Sequence, residues 1–165
     1  MKFTLDSAQT LQVTDRELSG LLMQVYVEGG YTEQERAQVL FEPSAVRQRG
    51  LLIGAREKSS FDLAGMVIVV PPDSPGRRLA LAAEAEMHLL SVKPEYRKHG
   101  LGRLLVEFAV ETAKQNGCEK MILWTQTAMK PAQHLYESTG FVRAKERDFS
   151  RHGRDFWVYE RCLRS

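Results

Sequence analysis

Apolar residues recur every three or four positions near the start of the chain, then gather into short continuous runs, then return to helical spacing. Leu18, Leu21, Leu22 and Val25 fall on one helical face. Thr14-Asp15-Arg16-Glu17 stands before them as a capping box, in which Thr14 accepts from a free backbone N–H while Glu17 reaches back. Gly29-Gly30 closes that helix. Thr32-Glu33-Gln34-Glu35 repeats the pattern and predicts a second, shorter helix toward Phe41. Leu51 to Ala55 is a short apolar run, and Glu57-Lys58-Ser59-Ser60 reads as a turn. Phe61 to Val70 is rich in β-branched and apolar residues and predicts a strand that stops at Pro71-Pro72. Pro71 to Arg78 reads as a flexible loop between hairpin strands, and a third strand is expected from about Ala83 to Val92.

Beyond Pro94 the character changes. Leu101, Leu104, Leu105, Phe108, Ala109 and Thr112 predict a helix with one buried face, closed by Asn116-Gly117. Met121 to Thr125 predicts a buried strand. Pro131 sits where a first-turn proline is tolerated, in a helix that ends at Gly140. Two last strands, Phe141 to Phe149 and Asp155 to Arg161, complete a sheet. The central strand–helix–strand crossover should be right-handed and its strands parallel. No repeat or low-complexity segment divides the chain, so one domain of mixed α/β (α+β) class is expected over residues 1–165.

Composition narrows the function more than the fold. With 165 residues, 43% hydrophobic and 27% charged, the chain suits a soluble domain with a real core. A formal net charge of +2 argues against bulk nucleic-acid binding and offers no steering clue toward a basic or an acidic substrate. Cys118 and Cys162 have neither metal-ligand spacing nor the look of a disulfide framework, and they fit a reducing interior. No segment has the length of a membrane span or the apolar run of a secretory signal. The expectation is a cytoplasmic protein without metal, nucleic-acid or membrane partners.

The chemistry gathers between Leu89 and Arg103. A buried strand ends, a short loop turns, and Gly100 and Gly102 open a helix whose free N–H groups and dipole suit phosphate oxygens. Arg97, Lys98 and Arg103 add positive charge to the same turn. A kinase-type P-loop needs Lys-Ser or Lys-Thr after its last glycine, and Arg103-Leu104 stands there instead. A dinucleotide fingerprint needs Gly or Ala three residues beyond Gly102, and that position is Leu105.

Arg97-Lys98-His99-Gly100-Leu101-Gly102 does resemble the signature of the GNAT superfamily of coenzyme-A-dependent N-acetyltransferases: Arg or Gln, two residues, Gly, one residue, then Gly or Ala. Ala85 to Val92 resembles that family's fourth strand, and Pro131 to Phe141 its late helix with a Tyr and a Gly-Phe pair. The resemblance is strong from about Ala83 to Phe149 and architectural before that. It implies a mostly antiparallel sheet of six to seven strands, about four helices, and a parallel pair of strands that splay apart. It also implies acetyl-coenzyme A as the only cofactor. Its pantetheine arm would meet backbone groups of Leu90, Ser91 and Val92, and its diphosphate the loop residues Arg97, Lys98, His99, Gly100, Leu101, Gly102 and Arg103.

The acceptor would be a primary amine of a small molecule or peptide. A lysine-type amine, with a pKa of about 10.4, arrives protonated and needs a base. Glu86 matches the strand position of a catalytic glutamate, with His88 in reserve two residues along on the same face if no bulge intervenes. Tyr136 matches the tyrosine that protonates the departing thiolate. Tyr26 and Tyr31 would line the acceptor pocket, and the final strands offer an edge for a homodimer. The competing readings are a catalytically silent acyl-coenzyme A sensor and, after the failed motifs, a nucleotide-dependent transferase.

Overall fold

The computed structural model describes residues 1–164. Strand β1 (Phe3–Ser7) leads to helix α1 (Asp15–Leu22), which runs on into a π-helical turn at Met23–Val27. Short helices α2 (Gln34–Leu40) and α3 (Pro43–Gln48) follow. Then come strands β2 (Leu51–Glu57), β3 (Leu63–Val70) and β4 (Glu84–Val92), helix α4 (Leu101–Gln115), strand β5 (Lys120–Gln126) and helix α5 (Lys130–Ser138). The chain closes with β6 (Val142–Arg143), β7 (Phe149–Arg151) and β8 (Arg154–Cys162).

All eight strands join one sheet, in the order β1-β2-β3-β4-β5-β8-β6 with β7 also on β8. Every pairing is antiparallel except β4 with β5. The expected parallel crossover is therefore present. The count differs from expectation: eight strands rather than six to seven, and five α-helices rather than about four. The extra strand is β1, whose alternation of half-buried and exposed residues is too short to stand out in sequence. The extra helix is α3, opened by Pro43 and capped by the Glu42 carboxylate on the N–H groups of Ser44 and Ala45. The stretch Phe141 to Phe149 is not one strand but β6, a 3₁₀ turn at Lys145–Arg147 and the first residue of β7.

Strand β3 is buried along its whole length and separates two cores. Met66, Ile68 and Val70 pack with Leu18, Leu21 and Leu22 of α1. Val67 and Val69 face the other way, toward Leu101, Leu105, Val106 and Ala109 of α4. This is the two-residue alternation of a strand covered on both faces. The buried face of α4 is Leu101, Leu105, Val106, Ala109, Val110 and Ala113. Leu104 and Phe108, expected inside, are 48% and 36% exposed. Apolar residues outnumber the stripe the sheet can cover, so the sequence alone overestimates the buried face.

Thr14 and Glu17 form the predicted capping box. The second one fails: Glu33, not Thr32, is the N-cap of α2, and no side chain caps it.

Candidate active site

Strands β4 and β5 hydrogen-bond only over Glu84–Lys120, Ala85–Met121 and Glu86–Ile122, although both run on. The cause is visible in β4. Its register against β3 slips between His88 and Ser91, and Leu89 takes a left-handed φ of 52°. A bulge of this kind bends the strand that carries it. Strand β4 turns away from β5, which stays paired with β8 as far as Gln126–Phe156. The main chain from Met87 to Val92 thus borders a gap. Tyr26, from the π-helical turn, donates its hydroxyl to the Leu90 carbonyl at 3.0 Å, and burial pushes its pKa up to about 12.

At the end of β4 the chain turns through a 3₁₀ segment, Pro94–Tyr96, into the glycine loop. Lys98 and Gly100 both have left-handed φ, 64° and 79°. Gly100 is the N-cap of α4 and offers no side chain to its first turn. Among the described residues, no acceptor meets the N–H groups of Lys98, His99, Gly100, Leu101, Gly102 or Arg103; the first satisfied amide is Leu104, bonded to the Gly100 carbonyl. Six consecutive donors at the positive end of a helix are a strong anion cradle.

The two glycines serve different ends. A Cβ on Gly100 would touch nothing, so its φ is what demands glycine. A Cβ on Gly102 would lie 2.9 Å from Leu135 Cδ2, so this glycine lets α4 pack against α5. Arg97 and Arg103 are tied locally, Arg97 Nε donating to the Val92 carbonyl and Arg103 to Ser138. Their guanidinium groups brace the loop while the main chain faces outward.

Glu86 and His88 share a face of β4, because the bulge comes after them. Glu86 is fully buried, and its Oε2 accepts from the N–H groups of Arg78, Leu79 and Ala80 at 2.9, 2.6 and 2.6 Å. Its Oε1 lies 2.7 Å from His88 Nε2. Burial alone would raise this carboxyl's pKa, but His88 and the three amides outweigh it and hold it below the usual value of 4.5. A carboxylate only accepts, so Nε2 carries the imidazole proton. Nδ1 is then a lone pair, 3.4 Å from Arg49 Nη1. Burial also lowers the His88 pKa below 6.5, against the pull of Glu86, so the ring is neutral near pH 7. His88 borders the cleft and Glu86 stands behind it.

Tyr136 reaches the same cleft from α5, its ring set against Phe141 and Tyr159. Burial raises its pKa far above that of a free phenol. Among the described residues its hydroxyl has no hydrogen-bond partner. Tyr26 and Tyr31 line the cleft as expected. Sequence reasoning missed Arg49 and Arg78, which lie on separate loops and meet at His88 only after folding. No local pattern marks them.

The acetyltransferase (GNAT) family model matches residues 16–141. An amino-acid acetyltransferase of Mannheimia succiniciproducens is 30% identical over 125 residues, 70% of this chain and 27% of its own length. The chain spans between about a quarter and two fifths of the length of the first curated relatives it matches. Among solved structures, a GNAT acetyltransferase of Staphylococcus aureus aligns over 99% of this chain and 100% of its own, with TM-score 0.76 and 17% identity. The PaiA N-acetyltransferase of Thermoplasma acidophilum in complex with coenzyme A aligns over 98% and 99%, with TM-score 0.71 and 19% identity. At these identities the structures establish the shared fold.

Proposed function

The chain belongs to the acetyltransferase (GNAT) family, and on that premise we propose that it is an N-acetyltransferase moving the acetyl group of acetyl-coenzyme A to a primary amine of a small molecule or peptide. The observation that carries this reading is the run of six unpartnered amides, Lys98 to Arg103, set at the end of the strand that borders the β4–β5 gap. Anion donors beside an open channel fit a diphosphate with a long, mainly uncharged arm. Leu90, Ser91 and Val92 would supply main-chain partners along the arm, and Arg97 to Arg103 would hold the diphosphate.

When bound, acetyl-coenzyme A supplies the acyl group as a thioester. The protein's own groups manage protons and position. His88 Nδ1 accepts the proton of the incoming ammonium, directly or through water. Glu86 fixes the tautomer that leaves Nδ1 open and stabilises the imidazolium. Glu86 thus acts in the proton transfer through His88 rather than by touching the amine. Tyr136, kept protonated by burial, holds a proton for the departing sulfur. Residues 1–165 would form one such domain, since every strand from β1 to β8 shares the sheet.

Calorimetry with coenzyme A and with ATP, followed by thiol release across an amine panel, tests the reading. Binding of coenzyme A but not ATP, and thiol release with some primary amine, is the expected result. No binding of coenzyme A to folded protein would end it. Binding without thiol release for any amine would favour a silent sensor. Tyr136→Phe should lower kcat on the order of a hundredfold while leaving coenzyme affinity unchanged.

A further inference from the structure

Five arginines line the cleft: Arg36, Arg49, Arg78, Arg151 and Arg154. No aspartate or glutamate lines it. Among the described residues none of the five is in an ion pair, whereas Arg47, Arg56, Arg143, Arg147, Arg161 and Arg164 all are. Arg16, Arg77, Arg97 and Arg103 also lack a carboxylate among the described residues, but they do not line the cleft, which gathers five such arginines although the chain as a whole carries only +2.

Two further facts point to a missing anionic and polar partner. Arg49 is half-buried, and burial together with the repulsion of Arg78 lowers its pKa to about 10. Thr125 lies in the wall of the same cleft, 4% exposed, with an Oγ1 that has no hydrogen-bond partner. Paired guanidinium groups facing a cleft without a counter-charge are a poor arrangement for the free protein. They are a good one for a ligand that brings a carboxylate, which a guanidinium fork binds through two parallel hydrogen bonds.

We propose that the acceptor is an α-amino acid: an amine whose neighbouring carboxylate is held by Arg49 and Arg78 while its nitrogen lies at His88. The geometry sets the spacing. Arg49 Nη1 is 3.4 Å from His88 Nδ1, so one small ligand can place an anion on Arg49 and an amine at Nδ1 together. A carboxylate on the amine-bearing carbon fits that short separation without a folded linker. Drawing Arg49 onto the carboxylate also frees the Nδ1 lone pair for the amine proton. Arg36 and Arg154, half-buried, and Arg151, exposed, extend the positive field along the walls formed by α2 and the β7–β8 hairpin. That field favours acidic over neutral amino acids and excludes polyamines.

This inference rests on the acetyl-transfer reading, and the experiment separates the two. Coenzyme release by the full chain is measured with L-leucine, L-leucinamide, L-glutamate, L-glutamine, O-phosphoethanolamine and spermidine, after coenzyme A binding has been checked by calorimetry. Leucine should exceed leucinamide, and glutamate exceed glutamine, in kcat/KM by on the order of tenfold or more. Phosphoethanolamine and spermidine should be poor. The variants Arg49→Gln and Arg78→Gln should bring the leucine-to-leucinamide ratio toward one, with KM for acetyl-coenzyme A unchanged. Retained coenzyme binding in each variant shows that it has folded. Leucinamide, spermidine or phosphoethanolamine matching or exceeding the amino acids would overturn the inference and leave the acetyl-transfer reading standing. So would a carboxylate preference that survives in both variants. Failure to bind coenzyme A would instead remove the reading beneath it.

Discussion

His88 is held between two opposing influences, and its titration follows from them. Burial disfavours the imidazolium, while Glu86 at 2.7 Å favours it, and burial wins. The neutral ring is the form able to accept a proton, so kcat/KM should rise with pH along a limb whose apparent pKa lies below 6.5. His88→Gln should abolish that limb along with most of kcat, because an amide does not take up the proton. The same residue makes a stability statement. The unfolded chain binds a proton at this ring more readily than the native chain does. Stability is therefore lost as pH falls below about 6.5 toward the depressed native pKa. Urea unfolding between pH 7.5 and pH 5 should show this decline in the wild type and a shallower one in His88→Gln. Equal declines would remove His88 from the account. Glu86 follows the ordinary carboxylate rule: its contribution is present above about 4.5 and fades as pH falls toward its lower native value.

Helix α4 meets its surroundings at two glycines that different substitutions can separate. Gly100→Ala places a Cβ at φ 79° with no neighbour to strike, so its cost is backbone strain of roughly 1–2 kcal/mol. Because the strained residue belongs to the amide cradle, weaker coenzyme A binding should accompany the loss. Gly102→Ala instead brings a methyl to 2.9 Å from Leu135 Cδ2, so the Leu135 side chain, one residue before Tyr136 on α5, must shift. Its signature should be a lower kcat, read by steady-state kinetics, larger than any change in coenzyme affinity. At the other end of the chain, Thr14→Ala removes the acceptor for the Glu17 N–H and should cost about 1 kcal/mol in urea unfolding.

What the sequence makes legible follows from how local each signal is. The box at Thr14, the start of α4 at its glycines and the apolar run of β3 are written in contiguous residues, and the structure has all three. The buried face of α4 is narrower than its periodicity predicts, leaving out Leu104 and Phe108, since periodicity identifies apolar positions but not how wide a stripe the sheet covers. The donor run after Lys98 is equally local. The cleft arginines come from α2, two loops and the terminal hairpin, so only the folded chain brings them together.

At the scale of the molecule, the sheet has one weak seam. Strands β1 to β4 and strands β5 to β8 pair over only three residue pairs, Glu84–Lys120 to Glu86–Ile122, and beyond these the two halves are linked by a shared apolar core and by side-chain bonds such as Arg147–Glu84 and Gln126–Tyr31. A ligand lodged in the seam binds the native state and not the unfolded one. At a coenzyme concentration of a hundred times Kd, linkage adds about 2.7 kcal/mol of stability. In a domain of this size each kcal/mol moves Tm by about 2–4 °C, so saturating coenzyme A should raise Tm by roughly 5–11 °C. Hydrogen exchange adds the location: protection should rise at the amides of Lys98 to Arg103 and along Met87 to Val92, with little change in β1 and β2. A thermal shift with protection confined to other strands would mean that the coenzyme binds elsewhere. The open seam would then be a feature of packing rather than a binding channel.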